Sequence, residues 1–151
     1  MAYESTFEFE EMQEFEKKLI KTAEEEFPKE AERFMKNEAR TLKRRMIKKA
    51  KTELSGKRFA AEGKSYEERF EAGKTVYEWP DARFNIRTYN PAPHAHLIEY
   101  GHRKFDFHGQ DTGEYVPGKH IIENTAIAYR SEFTKHVGDK LASQVLKGLS
   151  K

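Results

Sequence analysis

Residues 88–101, TYNPAPHAHLIEYG, decide the fold, because strand-like sequence stops here and helical sequence resumes. The run Asn90-Pro91-Ala92-Pro93 ends a strand. Residues 94–100 can then form a short helix with an Asn or Pro start and a stop at Gly101. A third strand is the competing interpretation of residues 94–100. The stretch therefore marks the edge of a sheet.

A hairpin signal lies upstream of this stretch. Residues 66–79 and 83–89 are rich in aromatic and β-branched residues, and residues 80–82, Pro-Asp-Ala, separate them. In the second run Phe84, Ile86 and Thr88 alternate with Arg83, Asn85 and Arg87. The alternation predicts one face on a core and one face in water. A single antiparallel sheet of this kind needs a helix packed on it.

Downstream, the sequence predicts a loop, a short strand and a long helix. Glycines punctuate the loop over residues 102–113, residues 114–117 are the candidate strand, and the helix begins at Ile121. One apolar stripe at helical spacing runs along that helix. Its members are Ile122, Thr125, Ala126, Tyr129, Phe133, Val137, Leu141 and Val145.

Two further helices are predicted near residues 8–27 and 29–53, before Ser55 and Gly56 stop the second one. Pro28 lies between them and marks a bend or a new start. The stripes are Met12, Phe15, Leu19 and Ala23 in the first helix, and Phe34, Glu38, Leu42, Met46 and Ala50 in the second. The predicted class is α+β, with N-terminal helices, a small antiparallel β-sheet and a long C-terminal helix packed on the sheet.

Length and composition narrow the functional classes. With 151 residues the chain fits a single domain, 1–151, divided into a helical part, 1–53, and a part with the sheet and last helix, 54–151. The absence of cysteine excludes a disulfide scaffold, a cysteine zinc site and a cysteine nucleophile, and suits a reducing cytoplasm. The apolar stretches are shorter than the roughly 20 residues that span a bilayer, and the N-terminus is acidic. We therefore expect a protein made in the cytosol, without a membrane partner.

Charge is segregated along the chain although the net charge is only +2. Up to Glu32 there are eleven acidic residues against four lysines, whereas Arg33 to Arg58 is basic. The basic helix face comprises Arg40, Lys43, Arg44, Lys48 and Lys51. Such a face could neutralise phosphates and bind nucleic acid without sequence preference. The alternative is that the acidic and basic helices pack against each other within one subunit, with solvated charges.

One pairing of motifs resembles a known family. Residues 95–103, AHLIEYGHR, together with residues 116–120, VPGKH, and the following helix are similar to the neck (head-tail joining, tail-completion) proteins of long-tailed bacteriophages and phage-like tail particles. In that family an A-x-x-x-E-x-G stretch follows a small antiparallel sheet, and a proline-containing turn leads to the last helix. The resemblance covers roughly residues 54–145. It implies a ring-forming structural component with no substrate and no cofactor.

Several residues are candidates for contacts between subunits. Trp79, beside Pro80 at the predicted hairpin tip, is the best aromatic anchor, and ordinary cover for the sheet is the alternative. The full set of interface candidates is Trp79, His96, Glu99, Tyr100, His102, Arg103, Pro117 and His120. Of these, Glu99 and Tyr100 are expected to bond either to the backbone or to a neighbouring subunit. Residues 102–113 are expected to be mobile in the free subunit and ordered in the particle.

Catalytic and metal sites are weakly indicated. Glu99 lies among His94, His96, His102, His108 and His120, and imidazoles with a carboxylate are the usual zinc or iron ligands. If residues 94–100 are helical, however, His94 and His96 point to different faces, and only pairs such as His96 with Glu99 converge. No HExxH, Gly-x-Ser-x-Gly or phosphate-binding glycine motif occurs. We therefore expect no enzyme and no metal.

These inferences predict a structural virion protein of the phage neck, located at the head-tail junction. Its expected partners are further copies of itself in a ring, adjacent connector or head-completion proteins, and tail-terminator or tail-tube proteins. A weak contact with DNA in the lumen is compatible with this role. The alternatives are a tail terminator that caps the tail tube and a basic nucleic-acid-binding module.

Overall fold

The computed structural model describes residues 5–54, 65–74, 76–78 and 83–150, and confirms the α+β class. The helices are α1 (Ser5–Lys21), α2 (Phe27–Glu53), α3 (Ala95–Tyr100) and α4 (Ile121–Leu149), with a π-helical turn at Thr22–Glu26 and a 3-10 turn at Glu67–Arg69. The strands are β1 (Glu71–Ala72), β2 (Val76–Glu78), β3 (Arg83–Asn85), β4 (Thr88–Tyr89), β5 (Gly101–Phe105) and β6 (Asp111–Pro117). None of the helices in these ranges is long and apolar enough to cross a membrane.

The first two helices form one continuous helical rod, the N-terminal rod, from Ser5 to Glu53. Pro28 was predicted to mark a bend or a new start, but it lies in the first turn of α2 and the chain keeps right-handed helical dihedrals at Glu26 and Phe27. A proline ring clashes with the carbonyl four residues earlier and has no N–H to donate. The π-helical turn just before Pro28 widens the helix, and the Phe27 N–H donates to the Thr22 carbonyl across it.

Continuity of the rod separates the two kinds of charge. At about 1.5 Å per residue, 49 residues follow a helical path of roughly 70 Å. The acidic segment occupies one end of that path and the basic face of α2 the other. The alternative in which these segments fold back on each other within a subunit is wrong for the described residues.

Helix α4 runs antiparallel to α2 and packs mainly along it, whereas the sequence placed it on the sheet. Ion pairs cross between the two helices from Arg45 to Glu132 at 2.6 Å and from Glu30 to Lys140 at 3.0 Å. Inward-facing positions include polar residues that an apolar stripe does not detect, and Gln144 is buried. Val137, Leu141 and Val145, predicted to be in the stripe, are instead 39–47 % exposed. Their partial exposure follows from the narrow contact between two helices.

The core lies where the end of α2 meets the chain on either side of the strands. Its buried members are Met46, Ala50, Leu54, Tyr66, Phe70, Ala92 and Ile121. Fully burying a large apolar side chain contributes about 1.5–3 kcal/mol, so this small cluster is a major source of stability. Asn90 ties it together, because its carboxamide donates to the Tyr66 carbonyl and accepts from the Ala92 N–H.

The predicted hairpin over residues 66–89 is confirmed, in an interrupted form. Strand β2 pairs with β3 and β1 pairs with β4, both antiparallel, and the register shifts by one residue between the two pairs. The interruption lies at Gly73, whose backbone N–H donates a hydrogen bond to the Arg87 carbonyl. With β5 and β6, the described residues form three two-stranded sheets where a single sheet was expected. Trp79 and residues 80–82 lie outside the described residues.

The short helix after the sheet is confirmed as α3, and the third-strand interpretation is wrong. Its end is tied to the start of α4. The buried Glu99 carboxylate accepts hydrogen bonds from the backbone N–H groups of Ile122, at 2.9 and 3.1 Å, and Glu123, at 3.0 Å. His120, at the N-cap position, has a left-handed backbone and no capping side-chain bond. Glu99 thus caps α4 from another helix, and its negative charge suits the positive end of the helix dipole.

The first testable consequence concerns this cap. Replacing Glu99 by Gln removes the negative charge and replaces one acceptor oxygen by an NH₂ group. That group is a donor and cannot accept from the N–H groups of Ile122 and Glu123. We expect the free energy of unfolding to fall by about 1–3 kcal/mol in chemical denaturation. Asp139→Asn, an exposed carboxyl-to-carboxamide change within α4, is the control and should change the free energy of unfolding by less than about 0.5 kcal/mol. Equal stabilities for both variants would contradict the capping role.

Two glycines allow the backbone segments at this junction to approach each other. Gly101 has φ +85°, and a Cβ there would overlap the Val116 carbonyl. A Cβ on Gly118 would overlap the Glu99 carbonyl. Lys119 and His120 donate their N–H groups to the Ile98 and Glu99 carbonyls, at 2.7 and 3.1 Å, which holds the two segments together.

Alanine substitutions at two glycines should therefore change the free energy of unfolding in opposite directions. Gly118→Ala should lower the free energy of unfolding by about 1–3 kcal/mol, because rigid backbone atoms occupy the place of the new methyl group. Gly138, inside α4, is exposed, and a methyl group added there would meet no described residue within 4 Å. Gly138→Ala should raise stability by about 0.5–1 kcal/mol through helix propensity. Thermal and urea unfolding of both variants would test this, and a stabilised Gly118→Ala would refute the packing argument.

Candidate functional site

A hairpin arm projects from the junction of α3 and α4. It consists of β5, β6 and the turn of residues 106–110, and its residues from Arg103 to Pro117 are all exposed. The sequence predicted a loop over residues 102–113, which is wrong, because β5 and β6 pair through this region. An isolated two-stranded hairpin is only marginally stable in water. An exposed hairpin of this kind gains stability when another surface covers it.

Local side-chain bonds build the turn of the arm. The Asp106 carboxylate accepts from the backbone N–H groups of His108, at 2.9 Å, and Gln110, at 2.8 Å. Gly109 follows with φ +79°, a conformation that glycine adopts without strain. Such Asx turns are a local alternative to a backbone ladder, and here they join the two strands.

Charges on the two strands pair with each other. Arg103 lies 2.8 Å from Asp111, and Lys104 lies 2.7 Å from Glu114. The Arg103 guanidinium, helped by the Gly113 N–H, lowers the pKa of Asp111, and the Lys104 ammonium lowers the pKa of Glu114. Because these four charged groups are satisfied within the arm, they contribute little to recognition of a partner.

The aromatic side chains of the arm, unlike its charged groups, are left largely exposed to solvent. Phe107, at the tip, is 95 % exposed, and Phe105 and Tyr115 are about 60 % exposed. Single exposed apolar side chains are common on protein surfaces, whereas several large ones gathered on one small element mark a candidate contact site. Sequence reasoning missed these three residues. The signal that could have found them is the Phe-Asp-Phe run next to a turn-forming Asp and Gly.

The predicted interface residues gather at the base of the arm. Glu99 is buried and bonded to the backbone of α4, so it supports the arm and does not face a neighbour. His96, Tyr100, Arg103 and Pro117 are exposed, and His102 and His120 are half-buried. The Tyr100 ring meets the His120 ring edge-on at 6.3 Å, and its carbonyl accepts from the Tyr115 hydroxyl at 2.6 Å. Trp79 cannot be placed, because it lies outside the described residues.

The histidine-rich stretch does not converge on a metal site within the described ranges. In them, no group of three or more His, Asp or Glu side chains is arranged to hold a metal ion. His120 instead pairs with Glu123, with Nδ1 3.0 Å from the carboxylate.

The basic helix face is present on α2. Arg40, Arg44, Lys48 and Lys51 are exposed, and Lys43 is half-buried. Arg40 bonds to the Asn37 carboxamide at 3.4 Å. Among the described residues no carboxylate forms an ion pair with any of these five cations, so the face is electropositive.

A groove lies between α2, α4 and the strand β4. This α2–α4 groove has a volume of about 350 Å³. Its apolar walls comprise Met35, Leu42, Ile86, Ala126, Ile127 and Phe133. Arg130 lines it as well, and so do Glu38 and Tyr129, which are hydrogen-bonded to each other.

A polar cluster holds α4 against α2 beside the groove. Glu38 accepts from the Tyr129 hydroxyl and lies 3.1 Å from Nδ1 of His136. The Arg45 guanidinium stacks 4.6 Å from the centre of the Tyr129 ring while it binds Glu132. Burial, and then the nearby Glu38 carboxylate, raise the pKa of Tyr129. Tyr129 therefore stays a neutral hydrogen-bond donor, and the cluster is a structural clamp.

Comparisons with known proteins give no family assignment: no family model, no curated protein and no solved structure matches this chain.

The charge pairing in the arm predicts how it responds to acid. Since the pKa of Asp111 is lowered in the folded protein, the Arg103–Asp111 contact stabilises the arm above the ordinary aspartate value of 3.8 and is lost as the pH falls through the lowered value. Carboxyl NMR titration should show Asp111 titrating below 3.8. In Arg103→Gln it should return toward 3.8, while Glu114, paired with Lys104, should be unchanged. An unaltered Asp111 titration in that variant would contradict the pairing.

Proposed function

We propose that this protein is a structural subunit of the phage neck, which assembles as a ring at the junction of head and tail and has no catalytic activity. The observation that carries the proposal is the hairpin arm, with three exposed aromatic residues on strands whose charges are already paired. An arm of this kind adds contact area beyond the body of the subunit. The resemblance of residues 95–103 and 116–120 to neck proteins supplies the setting.

The charge distribution supports association between unlike surfaces. A ring requires heterologous contacts, in which one surface of a subunit meets a different surface of the next. In the N-terminal rod the acidic and basic segments pair where they meet, from Arg33 to Glu30 at 2.9 Å and from Lys36 to Glu32 at 2.6 Å. The basic helix face lies further along the helix, and its five cations have no carboxylate partner among the described residues. Complementary patches at separate places steer subunits into a head-to-tail arrangement.

The basic helix face suits the DNA that passes through a neck. Exposed cations without carboxylate partners attract phosphates through a salt-dependent, sequence-independent interaction. Adjacent connector or head-completion proteins, and tail-terminator or tail-tube proteins, would occupy the remaining axial surfaces of the ring. A tail terminator, which also forms a ring, and a basic nucleic-acid module are the alternatives.

The proposal predicts that the arm is needed for assembly. Light scattering on the purified protein, alone and with isolated heads or tails, should show a discrete oligomer or co-sedimentation with particles. Phe107→Ser should weaken this association about tenfold or more, because a central aromatic anchor typically carries much of the binding free energy. Leu146→Ser removes another exposed apolar side chain, 67 % exposed on α4, and should leave assembly unchanged.

Distinct outcomes would overturn the proposal. A protein that stays monomeric, ignores heads and tails, and binds duplex DNA with a steep loss of affinity at higher salt is a nucleic-acid module. A monomer that retains one tightly bound metal ion per chain after purification is a candidate enzyme. Equal losses for Phe107→Ser and Leu146→Ser would mean that the arm has no special part in assembly.

A further inference from the structure

We propose that the tip of the hairpin arm of one copy docks into the α2–α4 groove of the next copy, with the Phe107 ring in the groove and the Asp106 carboxylate facing Arg130. This inference rests on the proposed ring assembly and names the two surfaces that form its repeating contact.

The groove has the size and lining that an aromatic side chain needs. An apolar cavity of about 150 Å³ holds a benzene molecule, so the groove, at about 350 Å³, has room for a phenyl ring and part of the turn that carries it. Ile127, on its wall, is 64 % exposed and gains cover when the groove is filled. Phe107 is the most exposed large apolar side chain of the described residues.

Charges at the two surfaces are complementary. Asp106 uses one carboxylate oxygen, Oδ1, for both turn bonds, and in the described part of the chain Oδ2 has no partner. Arg130 lines the groove, and its guanidinium forms no ion pair with any described residue. The anion next to Phe107 therefore finds a cation next to the groove, which fixes the orientation of the tip as it enters.

A second copy of the chain is the occupant that these features favour. Tip and groove belong to the same polypeptide but differ from each other, so their contact is heterologous and repeats from copy to copy. Such a contact closes into a ring when the rotation per subunit divides a full turn. A symmetric contact between two tips would leave every groove empty and would stop at a dimer.

Cysteine cross-linking tests this contact directly, because the chain contains no native cysteine. Phe107→Cys and Ile127→Cys are made in separate preparations and mixed well above the concentration at which the unaltered chain assembles, by about a hundredfold, which offsets the loss of the Phe107 ring. The mixture is then treated with a short thiol cross-linker. We expect mixed dimers to form. A mixture of Phe107→Cys with Leu146→Cys, an exposed α4 position outside the groove, should give at least about tenfold less product.

The double variant with both Phe107→Cys and Ile127→Cys should give a covalent ladder that ends at the ring's copy number. Cross-linked monomers, formed when an arm fills its own groove, would overturn the docking between copies. Dimers from Phe107→Cys alone would show a tip-to-tip contact and would also overturn it. Assembly with no mixed cross-link refutes the docking and leaves the neck function standing, whereas a chain that never assembles refutes both.

A double-mutant cycle tests the charge pair. Asp106→Asn keeps the oxygen that forms the turn and removes only the charge. Asp106→Asn and Arg130→Gln should each raise the concentration for half-assembly about threefold, and the combined variant should raise it no further, because the two changes remove the same contact. Independent, multiplicative effects of the two changes would overturn the pairing of Asp106 with Arg130.

Discussion

The Glu99 carboxylate on the first amides of α4 is the interaction on which the rest of the structure depends. It fixes the end of α3 against the start of α4, and the hydrogen bonds from the backbone N–H groups of Lys119 and His120 hold the same junction together. The arm leaves the body between these two points, at Gly101, and returns at Pro117. One buried carboxylate thus positions both the helix that packs on α2 and the hairpin that projects into solvent.

The base of the hairpin arm is closely packed, whereas its tip is exposed. Its base is held by close backbone approach at Gly101 and Gly118, where any side chain would collide with a carbonyl. Its outer part is held by the local turn, by the backbone pairing of β5 with β6 and by two exposed ion pairs, and exposed ion pairs are worth little in water. The arm can therefore keep its direction while its tip adapts to a partner. That combination suits a contact in which a neighbour's groove completes the stabilisation of the aromatic residues.

Sequence patterns predicted the helices and strands better than they predicted the tertiary contacts between them. The short helix α3, the start of α4 at Ile121 and the hairpin over residues 66–89 all follow from short-range chemistry, and the structure has them. The arm was predicted as a loop because Gly109 and Gly113 interrupt residues 102–113, although the Asp106 turn and the charged pairs join the flanking residues into two strands. Glu99 was expected to bond either to the backbone or to a neighbouring subunit, and its partners are backbone amides of α4 that lie more than twenty residues away in the chain. Patterns among neighbouring residues do not predict a contact between residues so far apart in the chain.

By itself, the sequence determined the α+β class, helices on either side of Pro28, the long last helix and the separation of charge, since periodicity, proline and charge act over a few residues. The joining of the first two helices into one rod was decided only by the structure. Only the tertiary structure decided that α4 lies along α2, that polar residues such as Gln144 face inward, and that Phe107 stands in solvent while a groove opens between α2, α4 and β4. The physical reason is that burial depends on which surfaces meet, and those contacts join residues about a hundred positions apart in the chain, which patterns over a few residues do not specify.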